Sequence, residues 1–205
     1  MATAVHAIWG SELSPFSLKL RALCDYAGLA YRWLPDDGGR LENLRANWRV
    51  ERAKRTRTVL RFPRMTPLGE YPLVPFLISP DGTVRYDSSA LAHWLDATGT
   101  LAPGGPLFPE DPATSWVAQL IDEAFDEFGL YLVHHQRWVT SARRNDAGKR
   151  LADEFRRVLP PLAGRSFARR FAARQVRRLP YLFSVAPDGF RLPGLPADVQ
   201  PFPGT

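Results

Sequence analysis

The stretch that most restricts what this chain can become is Gly10 to Arg21, G-S-E-L-S-P-F-S-L-K-L-R. It follows a short apolar run, Val5 to Trp9, that reads as a buried strand. It opens a segment from Phe16 to Ala27 in which Phe16, Leu20, Leu23, Cys24 and Ala27 fall at helical spacing. Ser14 and Pro15 stand at the junction. Serine is a preferred N-cap, and proline suits the first helical position, where its missing N–H costs nothing. The spacing therefore places a hydroxyl at the positive end of a helix dipole, beside unpaired backbone N–H groups. Such a place favours an anion, a thiolate included. The plain alternative is that Ser14 only caps a helix.

The chain from its start to about residue 98 reads as β-α-β, a helical or irregular region, then β-β-α. Tyr31 to Leu34 is the second strand, with Gly28 stopping the helix before it. Val74 to Ile78 is a third strand that begins at Pro75. Asp81-Gly82 signals a hairpin into Thr83 to Tyr86. Asp87-Ser88-Ser89 then caps a helix through Leu91 and Leu95.

Composition narrows the classes of function. The 205 residues suffice for one large or two small domains. No apolar run approaches the roughly 20 residues needed to span a bilayer, so no membrane partner is expected. The N-terminus lacks a secretory pattern, and a cytoplasmic location is the expectation. A single cysteine, Cys24, excludes an internal disulfide and a multi-cysteine metal site. It lies on the inward face of its helix and reads as a buried thiol. His134 and His135 are adjacent, so one helix cannot aim both at a single ion, and no metal is expected. The net charge of +6 is carried almost wholly by arginine. Aromatic residues are not interleaved with it as a base-stacking platform requires, which argues against nucleic acid.

Taken in order, S-P-F-S-L-K-L-R, Y-P-L-V-P-F-L and Y-D-S-S-A-L-A-H-W-L-D resemble the N-terminal, thioredoxin-like domain of serine-type, bacterial-like glutathione transferases. The resemblance covers most of residues 4 to 98. It implies an α/β thioredoxin-like domain followed by an all-α domain. By that resemblance Ser14 is the catalytic residue, its hydroxyl donating to the glutathione sulfur. Pro75 matches the family's cis-proline, and Val74 before it offers backbone groups to the cysteinyl part. Asp87 and Ser88 match the acidic-serine pair that holds the γ-glutamyl end. Ser11 is the nearest competitor for the sulfur, and Phe16 is a further candidate. Where thioredoxin-like redox enzymes carry C-x-x-C, this chain has Ser14 and Ser17, so disulfide reduction is not expected.

The chain departs from the family in two places. Between the second strand and Pro75 lies an insert, about residues 36–70, longer than the family needs and rich in arginine. Leu41, Leu44 and Trp48 have helical spacing there. It covers the region that would contact the glycyl carboxylate, for which Trp48, Arg49 and Arg52 are candidates. A solvated basic face is the alternative. Residues 99–112 are rich in proline and glycine and read as a linker. Trp116, Leu120, Ile121, Ala124, Phe125, Phe128 and Leu132 then follow a helical period, with Asp122, Glu123, Asp126 and Glu127 on the other faces. Leu151, Phe155, Val158 and Leu159 suggest a second helix, and Phe167, Phe171 and Val176 a third. A late capping motif of the family is missing, and a proline-rich tail follows Pro180, so the all-α domain over 113–205 reads as shortened or truncated.

The expected function is that of a glutathione transferase, alkyl- or aryl-transferring, with isomerisation through thiol addition as a variant. Glutathione is the co-substrate. The electrophile is small and hydrophobic, held by Trp9, Leu13, Phe16 and the helix from Trp116 to Phe128. A homodimer is expected from the family. The alternative is a binding protein of the same fold, without turnover, whose basic second half engages a macromolecular partner.

Overall fold

Short apolar runs separated by amphipathic helices build a four-stranded mixed sheet covered on both faces, as a parallel strand pair joined through a helix requires. The computed structural model describes residues 5–56, 74–98, 105–141 and 144–177. Strand β1, His6–Trp9, leads through helix α1, Pro15–Tyr26, to β2, Tyr31–Leu34. Helix α2, Arg40–Thr56, follows, then β3, Phe76–Ile78, β4, Val84–Tyr86, and helix α3, Ser88–Ala97. The strand order is β2-β1-β3-β4, with β1 parallel to β2 and antiparallel to β3, and β3 antiparallel to β4. This is the expected α/β arrangement, with mostly helical structure after it.

Successive strand residues point to opposite faces, and the core divides accordingly. Ile8 and Leu77 pack with Leu20, Cys24 and Leu91 from α1 and α3. Trp9, Phe76 and Ile78 pack with Ala46, Val50 and Ala53 from α2. Cys24 is fully buried, as its helical position suggests, and burial pushes its thiol up to about 12, with Asp25 adding to the rise.

Two helices turn a different face inward from the one their sequence spacing suggests. In α2, Leu41 and Trp48 are 72% and 60% exposed, while Asn43, Ala46, Val50 and Ala53 are buried. Small side chains let the helix lie close on the sheet, and the larger apolar ones are left outside. The second case is helix α4, Pro112–Ala124, which has no buried residue. Trp116, Leu120, Ile121 and Phe125 face solvent, and it is Asp122 and Asp126 that turn inward. The reason is Lys19 on α1. Its ammonium lies 2.6 Å from Asp122 and 2.8 Å from Asp126, and the Ser89 hydroxyl on α3 donates to Asp122 at 2.7 Å, with Asp126 next at 3.1 Å.

From α4 the chain continues through a π-helical turn, Phe125–Gly129, helix α5, Leu130–His135, and a second π-turn, Gln136–Thr140. Helices α6, Ala147–Glu154, and α7, Gly164–Arg177, pack closely, with Gly148 against the carbonyl of Ala168. The second helix ends at Glu154, so Phe155 and Val158 lie in the turn beyond it and reach back to the sheet core. Residues 57–70 of the insert, 99–104 of the linker and the tail after Pro180 lie outside the described residues. Among the described residues, no helix is long and apolar enough to cross a membrane.

Candidate active site

The sheet register gathers the sequence-predicted residues at one end. Trp9 pairs with Phe76, so the loop leaving β1 and the Val74-Pro75 turn entering β3 meet there. Phe76 also pairs with Tyr86, so Asp87 and Ser88 leave β4 at the same end. The Val74–Pro75 peptide bond is cis. Ser11, Ser14, Val74, Pro75, Asp87 and Ser88 therefore share one rim of the domain.

The loop from β1 to α1 is tied down by its serines. Ser14 caps α1, with its Oγ accepting from the Ser17 backbone N–H at 3.3 Å. Ser17 is fully buried, and its Oγ accepts from the Ser11 N–H at 3.3 Å. The Ser11 Oγ accepts in turn from the Leu13 N–H at 3.1 Å. Ser11 is 2% exposed and Ser14 half-buried, so Ser14 is the more accessible of the two. Gly10 is needed for close approach, since a Cβ there would lie 3.1 Å from the Trp33 ring and 3.2 Å from the Ser17 Cβ.

Asp87 has φ 75°, a left-handed conformation rare for a residue with a side chain. Its Oδ1 accepts from the Ala90 N–H at 2.9 Å and caps α3. Buried Ser88 opens that helix. A non-glycine residue held in this region costs about 1–3 kcal/mol, and such strain tends to persist where function needs it.

Other candidates lie elsewhere. The Arg49 guanidinium lies against Gly82, in the turn joining β3 to β4. That turn is at the far end of both strands from Pro75 and Asp87. Trp48 stands on the exposed face of α2 under the Arg52 guanidinium. Trp9 is a core residue, edge-on to Phe155 with ring centroids 5.6 Å apart. Leu13 and Phe16 line two different clefts. Of the expected pocket, Phe16 shares one cleft with Asp122, Phe125 and Asp126 of the Trp116–Phe128 stretch, whereas Leu13 lines another and Trp9 lines neither.

The helical half brings groups to this rim that sequence reasoning missed. Arg137, half-buried on the second π-turn, donates to the backbone carbonyl of Leu13. Glu154 reaches Ser11; burial raises its carboxyl pKa, the Ser11 hydroxyl opposes that rise, and the Glu12 charge adds to it. Among the described residues, one buried Glu154 oxygen, Oε2, has no hydrogen-bond partner. Neither residue carries a local motif. Each meets the loop only because positions more than a hundred residues apart are folded together. Among the described residues, no group of three or more His, Cys, Asp or Glu could hold a metal ion.

Residues 13–98 match the family model described as the glutathione S-transferase N-terminal domain. No curated protein matches the chain. Among solved structures, a glutathione S-transferase from Methylobacillus flagellatus with glutathione bound is similar at 19% identity and a TM-score of 0.41, over 85% of this chain and 68% of that one. A glutathione S-transferase from Methylobacterium radiotolerans in complex with glutathione sulfonate is similar at 20% identity and a TM-score of 0.41, over 85% of this chain and 65% of that one. A glutathione transferase homolog from Sulfitobacter with bound glutathione shows 18% identity and a TM-score of 0.40, over 88% of this chain and 74% of that one. The family match and the sheet order agree: residues 13–98 are similar to a glutathione S-transferase N-terminal domain and have thioredoxin-like topology.

Proposed function

We propose that the chain binds glutathione along the shared rim and that Ser14 holds its sulfur as a thiolate for attack on a small electrophile. The observation that carries this reading is the state of the Ser14 hydroxyl. Its oxygen already accepts from the Ser17 N–H, which leaves its proton to donate outward. A donor at the positive end of α1 stabilises the anion of a thiol whose ordinary pKa is about 8.5, and each unit of lowering corresponds to about 1.4 kcal/mol. The match of residues 13–98 to the transferase N-terminal domain supports glutathione as that thiol.

In this reading the Val74 backbone pairs with the cysteinyl unit. Ser88, at the start of α3, receives the γ-glutamyl carboxylate, and Asp87 takes the adjacent ammonium. The thiol proton leaves to solvent. The sulfur lone pair forms a bond to an electrophilic carbon, and either a leaving group departs with its bonding electrons or a double bond accepts the pair and is then protonated. In this division residues 1–98 are the thiol-binding domain, 99–112 the linker and 113–205 the helical domain, whose described helices supply the wall against which the electrophile lies. The exposed apolar side chains from Trp116 to Leu132 support self-association, which sedimentation at graded concentration tests.

Ultraviolet titration of bound glutathione tests the role of Ser14. A thiol pKa well below that of free glutathione is expected, returning toward the free value in Ser14→Ala. An unchanged pKa in that variant, or no binding of glutathione by the intact chain, overturns the reading.

A further inference from the structure

A cleft of about 470 Å³ lies between the loop that carries Ser14 and the helical half. Leu13 forms one wall, and Leu132 and Val133 of α5 form another. Arg137 and Arg150 both line it, and so does Asp146. The neutral polar groups around it are largely occupied. Asn145 donates to the carbonyls of Arg137 at 2.5 Å and Ser141 at 2.9 Å, and the Ser141 hydroxyl donates to the Gln136 carbonyl.

The two guanidiniums are different. Among the described residues neither forms an ion pair with a carboxylate. Arg137 gives one N–H to the Leu13 carbonyl, and its side chain lines the cleft. Burial and the charge of Arg150 both act to lower the Arg137 pKa, the mark of a cation held half out of water beside another. Arg150 reaches in from the exposed side. Asp146 offsets one of the charges, and Glu154, one helical turn beyond Arg150, does not line the cleft; burial raises its carboxyl pKa and the Arg150 charge opposes that rise. The walls are apolar, the excess charge is positive, and the donors suit a planar carboxylate.

The second π-turn explains how Arg137 comes to be there. One extra residue per turn over Gln136–Thr140 lets Arg137 point to Leu13 while the next residue, Trp138, is buried against Phe171. π-turns of this kind recur at functional sites.

We propose that this cleft receives the electrophile and that Arg137 and Arg150 select molecules carrying a carboxylate on an apolar or aromatic body. The proposal rests on the thiolate reading for what happens to that molecule, but the selection itself is a binding property. The reacting step balances as before: the sulfur–carbon bond forms as the carbon–halogen bond breaks, halide leaves with the electron pair, and nothing is oxidised.

The test compares a chloro-nitrobenzoate with its uncharged amide, first by calorimetry without glutathione. The benzoate is expected to bind about tenfold or more tightly than the amide, as one charge-assisted contact to arginine allows. Arg150→Gln is expected to remove most of that preference and Arg150→Lys to keep part of it, with glutathione affinity unchanged in both. Equal binding of the two compounds, or a preference untouched by Arg150→Gln, overturns the proposal. So does a fall in glutathione affinity in Arg150→Gln, which would assign the arginines to a carboxylate of the thiol. Ser14→Ala separates the two readings. If it keeps the benzoate preference while the wild type turns over neither compound, the cleft stands and the thiolate reading falls.

Discussion

At Ser14 two jobs fall on one oxygen, and a single substitution can tell them apart. As an N-cap it satisfies the Ser17 N–H, so Ser14→Ala is expected to lower unfolding free energy by about 1 kcal/mol in urea. As a donor to a thiolate it would affect turnover much more than stability does. Asp87 allows the opposite experiment. Its φ of 75° suits glycine, and an aspartate cap replaced by glycine loses only a few tenths of a kcal/mol. Asp87→Gly is therefore expected to be neutral or up to about 1 kcal/mol more stable by thermal melting, while glutathione binding weakens at least tenfold. A variant both less stable and fully able to bind would show that neither the strain nor the carboxylate is used for the ligand. Both caps, Ser14 and Asp87, could be read from the chain itself, because a cap acts within three residues. The strain at Asp87 could not, since φ there is set by how β4 hands over to α3.

The join between the halves is an electrostatic one at α1, α3 and α4. Burial acts to raise the Asp122 pKa, and the Lys19 ammonium and Ser89 hydroxyl outweigh it, leaving the carboxyl below its ordinary 3.8. A carboxyl depressed on folding contributes stability above its unfolded pKa and loses it as pH falls through the folded value. Asp122→Asn is therefore expected to cost about 1–3 kcal/mol at pH 7, with the gap to wild type closing as the pH is lowered below about 4. A gap that persists at acid pH would mean that packing, rather than the carboxylate charge, is what the substitution removes. Helices α6 and α7 are joined by shape instead. A Cβ on Gly148 would lie 2.8 Å from the Ala168 carbonyl oxygen, and backbone cannot step aside cheaply. Gly148→Ala is expected to lower the melting temperature by several degrees, despite alanine's better helix propensity. Helical periods and caps found α1 to α4 and α7, but overran the end of α6 at Glu154 and ranked the wrong faces of α2 and α4 as inward. Periodicity ranks faces by apolar bulk; the partner surface chose small residues in one case and acids for Lys19 in the other.

Across the whole chain the helical half closes over the sheet from two sides, with Lys19 held on the α1 face and Phe155 on the α2 face. Phe155 stands edge-on to Trp9, and Arg157 donates to the carbonyls of Asp36 at 2.8 Å and Gly38 at 2.5 Å. Phe155→Ala is expected to cost about 2–4 kcal/mol and to uncouple the halves, so that fluorescence and far-ultraviolet dichroism no longer melt together. Coincident melts in the variant would show that the α1 face alone holds the halves. Features that act locally were legible in the chain alone: the strand–Ser-Pro–helix start, the hairpin at Gly82, the capped start of α3, the burial of Cys24. Three motifs in order were enough to identify the family of the first half, because each fixes a short backbone path to which a ligand can bind. It took the folded chain to bring Ser14, Pro75 and Asp87 to one sheet end, to set Arg49 at the other, and to carry Arg137 and Glu154 to the rim. Those outcomes depend on strand register and on contacts between distant residues, whose energies no local spacing encodes.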